Sequence, residues 1–125
     1  MPNPPIRTIT LGIAEPHPVA PRVIQHAATV LQQARERYIE AGYEVQTVRL
    51  SMRPILDDLA QWSADRITAY TAGLQRLFGD ISTMAIEYCS LGTVNVARPT
   101  CSLEQLALIP DLLIPSNAFS ATVTL

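Results

Sequence analysis

Glu87 is the one carboxylate within an otherwise apolar run from Met84 to Leu91. Burying it unpaired would cost several kcal/mol, so it must face water, find a cation or act as an acid of raised pKa. Arg49 and Arg53 are possible cations for a structural ion pair, the more ordinary of these outcomes. The segment that follows, Ser90-Leu91-Gly92-Thr93, offers a hydroxyl and a flexible backbone that could hold an anion or a carboxylate. It lacks the full glycine-rich phosphate patterns, and Gly92, like Gly12, is more simply needed for a turn or a close approach. Arg98 could bring a cation to the same place, although a loop arginine is usually solvated. Arg49, Glu87, Ser90, Gly92 and Arg98 thus form a candidate set for a small polar or anionic metabolite, with Glu87 the candidate catalytic group.

His17 and His26 are the only histidines, and neither has a companion at metal-ligand spacing, so no metal site is predicted. His17 sits in the proline-bracketed loop Glu15-Pro16-His17-Pro18. Ligands gather at the C-terminal ends of parallel strands, which makes His17 a candidate ligand-binding residue, though a solvent-exposed turn residue is the plainer reading. Cys89 and Cys101 are too few for a disulfide framework and read as free thiols. A strand cysteine such as Cys89 is usually a small buried hydrophobe, and a reactive thiolate there would need a cation beside it. Trp62, Tyr70 and Phe78 read as packing anchors.

With 125 residues, 48% of them hydrophobic, the chain is long enough for one domain with a sizeable core. The net charge is -2, and all 9 basic residues are scattered arginines, so no basic patch favours nucleic acid or an anionic membrane. No basic leader segment and no run of about 18 apolar residues is present, and a cytoplasmic protein is expected.

These residues must be positioned by alternating strands and helices. Ile9, Leu11 and Ile13 alternate with polar residues in a first strand, Arg7 to Ile13. From Pro21 to Ala41 the spacing of Val23, Ala27, Val30, Ala34 and Tyr38 predicts a helix with that face inward, stopped by Gly42. Val45 to Leu50 alternates again as a second strand, and Ile55 to Trp62 is an apolar connector of one or two helical turns. A second helix is predicted from Ser63, its N-cap, to Phe78, with Ile67, Tyr70, Leu74 and Leu77 inward and Gly79 ending it. Met84 to Leu91 predicts a third strand covered by helices on both faces, with Gly92 at its edge. Ser102 and Gln105 fit a capping box for a third helix that Pro110 limits or kinks, and Phe119 to Leu125 is a fourth strand. The fold class is therefore α/β, with a mainly parallel sheet of about four strands and crossover helices. The apolar run at the end stops without cap, turn or polar tail, as the leading part of a longer chain would.

Three stretches in this order carry a resemblance: Ile6 to Ile13, Ala41 to Ser51, and Tyr88 to Val94. Together they resemble domain-of-unknown-function family 711, uncharacterised proteins with a fold similar to the α/β barrel of pyruvate formate-lyase and ribonucleotide reductase. Members are several times longer, so the resemblance implies the leading portion of a barrel, a single domain or fragment spanning 1–125. It implies no radical chemistry, because fold does not carry function and the chain has no glycyl-radical motif, paired active-site cysteines or iron-sulfur cysteine triplet. Members commonly have another residue at the position of Cys89, so no thiyl role is transferred to it. Two functions are expected to compete. One is a barrel-type enzyme acting on a small polar or anionic metabolite at the strands' C-terminal ends. The other is a non-catalytic assembly module whose open strand edges join a second copy or a complementary C-terminal chain.

Overall fold

Alternating apolar and polar residues put Ile6–Gly12 (β1) and Val45–Ser51 (β2) into strands in the computed structural model, which describes residues 3–81, 88–98, 101–113 and 119–124. Tyr88–Asn95 (β3) and Phe119–Thr124 (β4) complete the sheet. The helices are Pro21–Glu40 (α1), the single turn Ile55–Asp58 (α2), Ala64–Ile81 (α3) and Leu103–Leu113 (α4). The four strands lie in the order β1-β2-β3-β4 and every pairing is parallel. The chain is an α/β protein.

Local sequence explains where the helices begin. Pro21 opens α1 with its backbone angle preset and no amide to waste. The Ser63 hydroxyl accepts from the Arg66 amide at 3.3 Å, and the Ser102 hydroxyl from the Gln105 amide at 3.1 Å, each satisfying a first-turn donor. The capping box at Ser102 is only half made, because the Gln105 side-chain Nε2 donates to the Ala60 carbonyl at 3.0 Å instead of reaching back. Gly42 ends α1 at a φ of 92°.

The inward faces depart from the predicted ones. In α1 the buried residues are Ile24, Ala27, Ala28 and Leu31, while Tyr38 is 44% exposed. The same spacing of three and four is kept, rotated by one position, because Ile24 rather than Val23 meets the sheet. In α3 the inward face is Ile67, Thr71, Leu74 and Phe78, with Tyr70 and Leu77 half-buried, and the helix runs through Gly79 to Ile81. α4 carries Pro110 inside it. The predicted third strand is displaced: it runs to Asn95, and the part of the prediction at 84–87 lies outside the described residues.

One layer of helices covers one side of the sheet. α1 packs on β1 and β2 and against α3, and α3 packs against α4. Beneath that layer Leu11, Leu50, Cys89 and Phe119 stand side by side across the four strands, with the Phe78 ring edge-on to Phe119 at 5.3 Å. Fully buried Leu31, Leu50, Ile67 and Leu91 each contribute roughly 1.5–3 kcal/mol of burial. The expectation of helices on both faces is corrected: the described helices lie on one side, and the other face is mostly hydroxyl-bearing, with Ile6 and the buried Val45 at its N-terminal end.

Gly92 does not close a strand, as predicted, but sits within β3 at a bulge where the register with β4 shifts between Ser90 and Thr93. Its φ is 89°, and a Cβ there would fall 2.5 Å from Pro54 Cα and 2.8 Å from the Arg53 carbonyl carbon. Both the backbone angle and the close approach exclude a side chain. Gly92→Ala is therefore expected to lower stability by about 2–4 kcal/mol, read as a lower urea midpoint. A midpoint equal to that of the unsubstituted protein would contradict this packing.

Candidate functional site

Two polar constellations stand out, one at the C-terminal end of the sheet and one across its second face. The first ties the loops together. The His17 backbone amide donates to Asp58 Oδ2 at 3.0 Å, and Arg53 grips the same carboxylate through Nε at 3.0 Å and Nη2 at 2.9 Å. His17 Nε2 lies 2.9 Å from the Arg53 carbonyl, which can only accept, so this nitrogen carries the ring proton. Nδ1, 2.7 Å from the Tyr70 hydroxyl, accepts from it, and the same hydroxyl accepts the Val19 amide at 2.9 Å. Both ring nitrogens are thus engaged by the protein in a neutral imidazole.

His17 is only 5% exposed, so its reading as a solvent-exposed turn residue is corrected. Burial lowers its pKa below the usual 6.5, against the pull of the Arg53 carbonyl and of Asp58 toward the charged form. Arg53 holds the Asp58 carboxyl below its usual range chiefly by hydrogen bonding, and burial raises the Tyr70 hydroxyl. Nearby, Arg98 Nη1 pairs with Asp57 at 2.6 Å. The neighbouring acids of α2 therefore hold arginines from beyond the ends of β2 and β3. Arg53, expected as a possible partner of Glu87, is committed to Asp58.

The second constellation is the uncovered sheet face. The strand register arranges it in rows, because cross-strand partners point to the same side. Ile6 and Val45 form the row nearest the N-terminal end, followed by Thr8 and Thr47. Above them lies Thr10–Arg49–Tyr88, then Gly12–Ser51–Ser90–Ser120, then Thr93–Thr122 and Asn95–Thr124. Among the described residues of this face Arg49 is the only charge, and it is exposed.

Hydroxyl bookkeeping separates the rows. Thr47 Oγ1 donates to the Arg7 carbonyl at 2.9 Å and so accepts from Thr8 Oγ1 at 2.9 Å, which uses up that pair. Ser90 Oγ accepts the Gly92 amide at 3.2 Å, leaving its own proton to give. Gly12 carries no positive φ, and a Cβ built on it would meet nothing within 4 Å. Its predicted role in a turn or close packing is therefore corrected.

Of the sequence candidates, Arg49 and Ser90 share this face on adjacent rows, and Gly92 shapes the strand beside them. Arg98 and His17 stand at the same end of the sheet but are engaged elsewhere, by Asp57 and by the loop hub. Glu87 lies outside the described residues. Sequence reasoning missed Asp57, Asp58 and Thr10; adjacent acids between two arginine-bearing strand ends were the available signal for the first two. Cys89 is fully buried on the helix side, and desolvation pushes its thiol up to about 12. No group of three or more His, Cys, Asp and Glu suited to a metal ion occurs among the described residues.

Singly layered helices, a sequential parallel sheet and a largely hydroxyl-lined second face that no described helix covers define an α/β protein. The chain belongs to the family described as Uncharacterised ACR (DUF711), whose model matches residues 2–125. No curated protein and no solved structure matches it.

A neutral His17 in the folded state and a readily protonated one in the unfolded state make stability rise with pH. The His17 contribution is fully present above the usual 6.5 and is lost as pH falls from there through the lower folded value. Denaturation followed against pH should show this decline, and His17→Gln should remove it while costing about 1–3 kcal/mol at neutral pH. A decline that persists in the variant would assign it elsewhere. Thiol titration should label half-buried Cys101 first and Cys89 only on unfolding; rapid native labelling at Cys89 would contradict its burial.

Proposed function

We propose that this chain forms part of the wall of a larger β/α barrel, of the type resembling pyruvate formate-lyase, with the uncovered face turned to the lumen. There a small polar or anionic metabolite binds toward the C-terminal ends of the strands and is acted on. The division of the sheet carries this reading. All-parallel sheets are nearly always covered on both faces, and a second helix layer would need apolar strand residues beneath it. Thr10, Arg49, Ser51, Ser90, Thr93 and Thr122 offer hydroxyls and one cation instead. A lumen is the covering that suits them, and four strands are too few to close one alone. Glu87, the carboxylate that the sequence singles out, is the proposed proton-transferring group. Two free cysteines accord with a reducing cytoplasm.

A second reading, assembly through the strand edges, rests on a trench of about 310 Å³ lined in part by Leu11, Ile13, Val23 and Ala27. It lies between the edge strand β1 and α1, where a further strand and helix could pack.

The readings separate in one experiment. Thermal shift against a panel of small polar and anionic metabolites should give saturable stabilisation that the paired substitution Thr10→Val, Ser90→Ala weakens. Light scattering on the same samples reports assembly. A protein that self-associates and responds to no compound would replace the lumen reading with the second one.

A further inference from the structure

Resting on the lumen reading, we infer that the face between Thr10 and Ser90 is a subsite for the carboxylate of a monoanionic small molecule, with Arg49 as its anchor. Arg49 projects from the middle row of a face that offers it no carboxylate among the described residues. Once that face is enclosed, a guanidinium without a counter-charge is costly, so an anion must accompany it. The surrounding groups say which anion. Thr10 and Tyr88 flank Arg49 in its own row, and Ser51 and Ser90 lie in the next row toward the C-terminal end. The Ser90 oxygen accepts from Gly92, and its proton has no acceptor among the described residues. One planar fork plus neutral hydroxyls matches a single negative charge shared by two coplanar oxygens.

A phosphate dianion would call for more. Phosphate sites usually recruit unpaired backbone amides at a helix start or a glycine nest. Here the β2 amides on either side of Arg49 lie within a ladder paired on both sides, and neither a helix start nor a glycine nest faces this row among the described residues. Gly12 supplies the independent observation. No backbone angle demands a glycine there, and among the described residues nothing lies within 4 Å of where a Cβ would stand. A glycine at the C-terminal end of a strand under those conditions leaves room for another group to approach the backbone closely. It is in register with Ser51, one row from Arg49, so the carbon skeleton behind the carboxylate passes over Gly12.

Titrating isotope-labelled protein with acetate, glycolate and benzoate, and separately with inorganic phosphate, tests this by amide and Arg Nε chemical shifts. The expected result is saturable monocarboxylate binding that moves Thr10, Arg49, Ser51 and Ser90. Arg49→Gln should weaken it at least about tenfold, the loss expected of a charge-assisted paired contact. Gly12→Ala should weaken it comparably while leaving the thermal midpoint unchanged or higher, which a purely structural glycine would not do. Phosphate binding as tightly at the same residues, or monocarboxylates binding Arg49→Gln undiminished, overturns the inference. So does binding that emerges only in Glu87→Gln, because Glu87 would then be the counter-ion of Arg49. An uncharged metabolite that moves these residues where carboxylates do not would overturn the carboxylate assignment and leave the lumen reading standing. Silence from every compound would sink both.

Discussion

A strand can lie parallel to its predecessor only after the chain has crossed back over the sheet, and here the crossings place α1, α3 and α4 in one layer. That constraint governs the rest of the molecule. Beneath the layer every second strand residue must be apolar, as Leu11, Leu50, Cys89 and Phe119 are across all four strands, whereas Arg7 and Gln46 at the N-terminal end are exposed and escape the demand. The intervening residues are released from that demand, and they are mostly Thr and Ser. One periodicity therefore builds the core and the polar face together.

The C-terminal loops need separate fastening, since the sheet fixes only where they start. Asp57 and Asp58 on the single turn α2 provide it, reaching Arg98, Arg53 and the His17 amide. The ion pairs themselves are weak ties. Arg53 and Arg98 are 48% and 56% exposed, and pairs with such solvated partners are screened by water and contribute little. The firmer part is the buried set around His17 and Tyr70, where breaking one bond strands another polar group away from water. The edge-on contact of Trp62 with Tyr70 extends this set toward the start of α3.

The overall charge of -2 gives no hint of the local field, because the described acids lie on helices and loops while Arg49 is the only charge on the open face among the described residues. Local sign, not the net value, decides what approaches. Gly12 and Gly92 illustrate how differently one residue type can be used. Gly92 is demanded by a backbone angle and by Pro54, whereas Gly12 is demanded by nothing within the described chain.

Much of the fold was legible before any coordinates. The strand at Val45, the helix opening at Pro21, the caps at Ser63 and Ser102 and the parallel α/β class all follow from spacings and signals confined to a few consecutive residues. The rotated face of α1 and the passage of α3 through Gly79 were not legible, since the best-packed face and the last turn depend on what lies opposite. The site divides in the same way. Arg49 and Ser90 announce themselves as polar residues in strands. That they share a face with Thr10, and that His17 is sealed by Tyr70 from 53 residues away, required the assembled sheet. Periodicity is a local property of the chain, whereas register, burial and the partner of a titratable group are set by contacts that exist only once distant segments have docked.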